Sequence, residues 1–409
     1  MKDVVVGLDV GTSKVCALAV GPVGDNGHKP AVLGYGVAPC SGLRKGVVVN
    51  IDATVEAIRA AVAEASRSAG VRIGSVISGL SGAHILGLSS HGAVGVRGGE
   101  VGARDVARVI EAARTVAIPP ERQVIHVLPQ RFRVDDQEGV RDPVGMAGVR
   151  LEANIHLVTA ARTSSQTLAR CCERAGVSPT MLVFEPLASA EAALYEEERE
   201  LGAALVDIGG GTTDIAVFYQ GAVLHTAVVP LGGSHLTNDL AAGLRTSFAD
   251  AEQLKLSFGV ATNLVVGREE TVQVPGVGGR PPRPVPRRLL GEILGPRMEE
   301  ILELARREMA RAGVGAEDLV SGVVLVGGSS LLEGSQELAE RIFNLPVRKG
   351  LPVNLAGLPE ELMKPMYTTV AGLALYAAAG RLGRNGSRAG HRLAQRFRLR
   401  VSDWLSEFF

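Results

Sequence analysis

Two stretches of the chain carry the same chemistry in the same order. Val4–Val20 reads VVVGLDVGTSKVCALAV, and Ala203–Tyr219 reads AALVDIGGGTTDIAVFY. In each, an apolar run ends at an aspartate, passes through a Gly/Thr-rich turn and resumes as a second apolar run. A glycine-rich hairpin turn leaves backbone N–H groups unshielded, and such a concavity suits phosphate oxygens. Gly7, Gly11, Gly209, Gly210 and Gly211 permit the close approach this needs. Thr12, Ser13, Thr212 and Thr213 add hydroxyl donors, and Lys14 adds a compact positive charge. Asp9 and Asp207 would repel bare phosphate. They make sense if a cation such as Mg²⁺ sits between, with its water shell. One such turn is an ordinary hairpin. Two, with an aspartate in register, predict two facing half-domains closing on one phosphorylated ligand.

The rest of the chain must position these turns. It has 409 residues, 46% of them hydrophobic and 21% charged, which fits a globular protein with two or more domains. Lys+Arg and Asp+Glu both number 43, so no global field recruits nucleic acid. Cys16, Cys40, Cys171 and Cys172 show neither metal-ligand nor disulfide-framework spacing, which implies a reducing cytosol. Lys2, Asp3 and Asp9 exclude a signal-peptide reading of the first residues, and no apolar stretch is long enough to span a bilayer.

Apolar runs alternate with helical patterns, so the expected class is α/β. Ile51, Val55, Ile58, Val62 and Ala65 share one face of a predicted helix over Ile51–Ser68. Val71–Leu80 reads as the following strand. From about Ala83 to Ala161 short strands and one helix near Ala103–Ala117 suggest an inserted subdomain. Further helices are expected at Ser164–Ala175, Leu187–Arg199, Leu236–Leu244, Phe248–Ser257 and Leu289–Arg311, with strands over Asn263–Val274. Pro275–Arg288 reads as a hairpin loop or a polyproline ligand segment. Gly322–Gly334, GVVLVGGSSLLEG, predicts a buried strand, a Gly-Gly turn and a helix start, where a nucleoside could approach the backbone. Thr368–Ala379 is an apolar helix rich in small residues, and Gly380–Gly390 has linker composition.

Beyond that linker, Leu393, Phe397, Val401, Trp404, Leu405 and Phe408 fall on one helical face, with Arg392, Arg396 and Arg400 along one flank. A short aromatic-rich amphipathic helix of this kind reads as a membrane-surface anchor for anionic lipid. The alternative is a terminal helix docked on the protein's own core or on a partner. One copy would bind weakly, because each Arg near anionic lipid adds only about 1 kcal/mol. An array of copies gains avidity, which would couple attachment to self-assembly.

These motifs together resemble the actin-like ATPase superfamily, and within it the FtsA family of bacterial cell-division proteins. DVGTSK (Asp9–Lys14) and VDIGGGTTDIAVF (Val206–Phe218) resemble the two phosphate loops. FEPLASAEAAL (Phe184–Leu194) and TTVAGLALY (Thr368–Tyr376) resemble the two connecting helices. VLVGGSSLLEG resembles the adenosine motif, and GGSHLTNDL (Gly232–Leu240) and AEQLKLSFG (Ala251–Gly259) the nucleotide-proximal helices. HVLPQRFRVDDQEGVRDPVGMAGVRLE (His126–Glu152) is similar to the family's inserted subdomain, and the tail to its membrane-targeting sequence.

The resemblance implies a two-lobed fold of duplicated ribonuclease-H-like domains. Its parts would be a first-lobe core (1–82), the inserted subdomain (83–162), the return to the first lobe with the first connecting helix (163–200) and the second-lobe core (201–231). The nucleotide-proximal subdomain (232–319), adenosine motif (320–358), second connecting helix (359–380), linker (381–392) and amphipathic helix (393–409) would follow. ATP and Mg²⁺ are the implied cofactors. Gly11, Thr12, Ser13, Lys14, Gly210, Gly211 and Thr212 would hold phosphates. Asp9 and Asp207 would organise hydrated Mg²⁺, and Gly233, Glu252 and Lys255 would lie near ribose and purine. Gly327, Gly328 and Ser329 would pass under adenine. Glu185 would orient the attacking water, or merely cap its helix before Pro186. The implied role is a polymerising adaptor that ties FtsZ to the cytoplasmic face of the membrane at the division site and meets other division proteins. In that role slow ATP turnover is secondary to assembly. A pilus-assembly actin-like protein and a sugar-kinase-like phosphotransferase are the competing readings.

Overall fold

The computed structural model describes residues 4–21, 29–267 and 269–384. The six apolar positions of the predicted anchor, Leu393 to Phe408, lie outside the described residues.

The two similar stretches grow into two sheets of the same design. In the first, β1 (Val5–Val10), β2 (Lys14–Val20) and β3 (Val32–Pro39) form an antiparallel meander. A small hairpin, β4 (Leu43–Arg44) with β5 (Val47–Val48), then leads to helix α1 (Ile51–Ala69). α1 begins where the Asn50 side chain accepts from the Ala53 N–H and ends at Gly70, φ +65°. Val55, Ile58, Ala61, Val62 and Ala65 are buried as the periodicity requires, whereas Ile51, in the first turn, is 43% exposed. α1 lies so close to β3 that a Cβ on Gly36 would come within 2.1 Å of the Ala61 carbonyl. The strand expected from Val71 starts only at Ser75, as β6 (Ser75–Leu80), because the Val71 N–H is used to close the end of α1 on the Ser66 carbonyl.

The inserted subdomain follows. β7 (Leu86–Gly95), α2 (Ala103–Arg114), β8 (Arg122–Val134), β9 (Gln137–Val140) and β10 (Arg150–Ala161) give a sheet of order β7-β10-β8-β9. Val109, Ile110, Phe132, Leu151, Ile155 and Leu157 make its own core. The chain returns through α3 (Arg162–Arg174) and β11 (Ser178–Phe184), so the first sheet reads β11-β6-β1-β2-β3. The helix expected over Leu187–Arg199 is two: α4 (Glu185–Ala193) and α5 (Glu196–Leu201). The break comes at Leu194, extended at ψ 136°, after which the Glu198 carboxylate accepts from the Tyr195 N–H and starts the second helix.

The second lobe repeats the first. β12 (Ala203–Ile208), β13 (Thr213–Tyr219) and β14 (Ala222–Val229) are again an antiparallel meander. Helices α6 (Gly233–Leu244) and α7 (Phe248–Phe258) come next, then a hairpin of β15 (Thr271–Val274) and β16 (Arg283–Pro286), and the long α8 (Arg287–Ala310). Asn263–Val265, expected as strand, is a 3₁₀ turn started by Thr262 Oγ1 accepting from the Leu264 N–H. The expected Pro275–Arg288 loop is shorter than its composition suggests, since β16 and the first turn of α8 absorb its second half. β17 (Val323–Val326), α9 (Ser335–Phe343) and β18 (Val347–Lys349) complete the sheet β14-β13-β12-β17-β18, with the same pairing pattern as the first. α10 (Thr368–Arg384) closes the described chain and carries helical structure past Gly380, where linker composition begins.

Small residues set how close the halves come. A Cβ on Gly372 of α10 would lie 1.7 Å from the Ala188 carbonyl of α4, and one on Gly7 of β1 would lie 2.6 Å from the Ala374 nitrogen. The apolar, small-residue composition of both helices is therefore a packing requirement. Gly372→Ala must force α4 and α10 apart, and overpacking of this kind typically costs about 1–3 kcal/mol. A fall of several degrees in the thermal midpoint is expected, and an unchanged midpoint in a calorimetric scan would refute the close crossing.

Candidate functional site

The two Gly/Thr turns face each other across one cavity of about 820 Å³ between the lobes. In each, the first turn residue donates back to the fourth: Gly11 N to Lys14 O at 3.0 Å and Gly209 N to Thr212 O at 2.9 Å. Asp9, Gly11, Thr12, Ser13, Lys14, Glu185, Asp207, Gly210, Gly211 and Thr212 all line this cavity. So do Gly233, Glu252, Lys255, Gly327, Gly328 and Ser329, contributed by α6, α7 and the turn after β17. Two positions of the turns named from the sequence stand apart: Gly7 packs against α10, and Thr213 Oγ1 donates to the Leu231 carbonyl at 2.9 Å.

The structure also gives these groups partners. Lys14 Nζ donates to the Met366 carbonyl at 2.9 Å and lies 5.0 Å from the Tyr367 ring centroid. Lys255 Nζ donates to Glu252 (2.7 Å), to Thr237 Oγ1 (2.8 Å) and to the Gly233 carbonyl (3.1 Å). Ser329 Oγ donates to the Gly209 carbonyl at 3.2 Å. Gly327 has φ +84°, and a Cβ there would lie 2.4 Å from Asp207 Oδ1, so only glycine lets this turn meet β12.

Glu185 does not cap its helix. Phe184 holds the cap position, no side-chain cap bond is made, and Glu185 is the first helical residue. No hydrogen bond or ion pair to a described residue holds its carboxylate, and Gly79 makes room for it: a Cβ there would lie 2.9 Å from Glu185 Cγ.

Sequence reasoning missed Asp214 and the hydroxyls around it. The register of β12 and β13 puts Asp214 directly opposite Asp207, as Cys16 stands opposite Asp9 in the first hairpin. Directly paired residues share a face of the sheet, so the D-x₆-D spacing across the glycine turn was the available signal. Ser81, at the end of β6 in the first lobe, donates to Asp214 Oδ1 at 2.6 Å, and Thr212 donates to Oδ2 at 3.0 Å. Asp207 accepts from Ser189 of α4 at 2.9 Å and from Thr369 of α10 at 3.2 Å. The two connecting helices, α4 and α10, are therefore pinned to β12 by one carboxylate.

Four acidic groups share the floor of the cleft, and burial raises the pKa of each. Asp9 is pushed up to about 6, chiefly by desolvation, with Lys14 opposing and Asp207 adding. Asp214 is pushed up to about 7 by desolvation, against the Ser81 hydrogen bond. Asp207 is raised by burial, opposed by its Ser189 and Thr369 bonds. Glu185 is raised well above the usual range by burial and then by Asp9, Asp214 and Asp207. Such a floor favours protons or a cation.

Solved structures place this two-lobed arrangement in a class. A chain of the PilM–PilN type IV pilus biogenesis complex superposes with TM-score 0.66 at 19% identity, over 91% of this chain and 98% of that one. An MreB protein of Spiroplasma citri bound to ADP gives TM-score 0.57 at 14% identity, over 94% and 99%. The fold is actin-like.

The family is closer than those identities. A model described as Cell division protein FtsA matches residues 204–372, and one described as the SHS2 domain inserted in FtsA matches 82–159. Cell division protein FtsA of Pseudomonas aeruginosa is 49% identical over 373 residues, 91% of this chain and 88% of that one. The Escherichia coli protein of that name is 40% identical over 93% and 92%, and the Bacillus subtilis one 38% over 92% and 83%. The chain belongs to the FtsA family of cell-division proteins.

The acid floor makes stability depend on pH with a defined sign. Asp214 has a raised folded-state pKa, so the native state holds the extra proton between about pH 4 and 7, and stability falls as pH rises through that window. His84 and His156, both lowered to about 4 mainly by burial, act oppositely between about 4 and 6.5. The discriminating quantity is therefore a difference. The thermal midpoint of Asp214→Asn minus that of wild type should increase from pH 5 to pH 8 by about 2 °C or more, and a pH-independent difference would contradict the buried carboxylate.

Proposed function

We propose that this FtsA-family chain binds ATP with Mg²⁺ between its lobes, polymerises in response, and ties the FtsZ division filament to the cytoplasmic face of the membrane. The observation that carries the nucleotide part is the convergence of both phosphate loops, the Gly327–Ser329 turn and the Glu252–Lys255 pair on one cavity. Solved structures of the same fold include an MreB protein of Spiroplasma citri bound to ADP and one bound to AMPPNP.

Magnesium fits the floor of the cleft. Several buried carboxylates with only Lys14 nearby to offset them would be relieved by a divalent cation. Among the described residues no group of three or more acidic, His or Cys side chains is placed to ligate a metal directly. A cation held through its water shell by Asp9 and Asp207 suits that arrangement. Bound there, it would neutralise phosphate charge. Glu185, at the head of α4 with no hydrogen-bond or ion-pair partner among the described residues, is the group to orient a water. Phosphoryl transfer depends on positioning and electrostatics, and slow turnover suits an assembly switch.

The membrane and FtsZ parts rest on family membership and on the tail sequence. No helix among the described residues is long and apolar enough to cross a membrane. Attachment would fall to the amphipathic segment 393–409, aided by assembly into arrays. The pilus-assembly and sugar-kinase readings share the fold, and the curated relatives at 38–49% identity favour division over both.

Two measurements test this reading. In calorimetry, Mg²⁺ should strengthen ATP binding to wild type, and Asp207→Asn should lose about tenfold or more of that enhancement. Absence of ATP binding by wild type would end the nucleotide reading. In co-sedimentation with anionic vesicles, Trp404→Glu should leave the pellet while keeping ATP binding, and equal pelleting of both proteins would end the anchor reading.

A further inference from the structure

The cations that line the cleft are already engaged. Lys14 is bonded to Met366 and Lys255 to Glu252, Thr237 and Gly233. Arg287 pairs with Glu270 and Glu333 and donates to the Phe258 carbonyl. A triphosphate placed against four acidic groups needs more positive charge than these spare.

Lys45 stands at the tip of the hairpin formed by β4 and β5, next to the loops that would hold phosphate. Its backbone packs on Gly211: a Cβ on that glycine would lie 3.0 Å from Lys45 N, and 2.5 Å from Thr12 Oγ1. On the other side Gly46 packs against Gly82, where a Cβ on Gly46 would be 2.7 Å from the Gly82 Cα. Gly46, Val47 and Val48 then line the cavity. The Lys45 ammonium makes no hydrogen bond or ion pair to a described residue, and its charge is felt at His235 in the first turn of α6.

The conformation is informative as well. Lys45 has φ +52° and Gly46 φ +74°. A two-residue turn of this kind favours Asn-Gly, and a non-glycine residue with positive φ is uncommon. Turn geometry alone does not call for lysine, whereas a flexible ammonium carried beside Gly211 of the second glycine turn suits a phosphate there. The nucleoside end of the cleft is also distinct from this one. Gly233 sits against Ser329 and Lys255, while Gly211 sits against Thr12 and Lys45.

The geometry points to Lys45 as a phosphate-binding residue that takes the terminal phosphate group of a bound nucleoside triphosphate, so that the hairpin distinguishes tri- from diphosphate. The inference rests on the nucleotide reading above. Because the hairpin belongs to the first lobe and Gly211 to the second, a phosphate held by Lys45 would also draw the lobes together.

The test uses the full chain with Mg²⁺ and measures ATP and ADP affinities separately. Lys45→Asn keeps a residue suited to the turn and removes the charge, while Lys45→Arg keeps the charge. Lys45→Asn should weaken ATP binding about tenfold or more, the scale of one charge-assisted contact, and leave ADP binding within about twofold. Lys45→Arg should retain most of the ATP affinity. An ATP-to-ADP affinity ratio in Lys45→Asn equal to that of wild type, whether or not both affinities fall, overturns the inference. Wild-type protein that binds neither nucleotide would instead overturn the nucleotide reading itself.

Discussion

The close crossing of α4 and α10 is the constraint on which the rest of the structure depends. The helices meet at Ala188 and Gly372 with no room for a further methyl group. At the same place Ser189 and Thr369, 3.0 Å apart, both donate to Asp207. Each helix leads out of one lobe and packs along the other. Asp207 therefore stands where the covalent links between the halves, the second glycine turn and the floor of the cleft coincide. The carboxylate is thereby bonded directly to both helices that set the interlobe geometry. Ser81 adds a second link across the cleft through Asp214.

The inserted subdomain is tied into this frame from outside. It leaves and rejoins the first lobe but packs on β14, the edge strand of the second sheet. Gln130 donates to the Val223 and Leu224 carbonyls at 2.9 and 3.1 Å, and His156 lies 2.8 Å from Thr226 Oγ1. An edge strand that would otherwise present unpaired backbone groups is thereby covered. The same strand continues to the Gly232–Gly233 turn at the cleft. The strand on which the subdomain packs therefore runs directly into the site.

Much of this was legible in the sequence, for physical reasons. Asp-Gly-Thr turns between apolar runs specify their hairpins locally, and the 3.6-residue periodicity of α1 and the small residues of α10 specify their burial. What was not legible depends on tertiary partners. The break at Leu194 follows from the cap that Glu198 makes. The late start of β6 follows from the way α1 terminates. The contraction of the Pro275–Arg288 loop follows from the pairing of β15 with β16 and from the salt bridges of Arg287. Among cleft residues, Asp214, Ser81, Ser189 and Thr369 escaped because each acts across the lobes or between strands. For Asp214 alone a local signal existed, the aspartate two positions past Thr212.

The two hairpins are duplicates in backbone and differ in charge. Where the second places Asp214 opposite Asp207, the first places Cys16 opposite Asp9, its thiol pushed up to about 12 by burial and by Asp9. The first loop carries Lys14, and the second has no cation but three consecutive glycines. Two identical charged loops would have served a symmetric ligand. A first loop that sets one lysine beside its aspartate, against a second that sets two aspartates side by side, suits a ligand that is itself polarised, with phosphate oxygens on one side and a hydrated cation on the other. Duplication supplies the cavity, and divergence at a few positions within the two turns gives it direction.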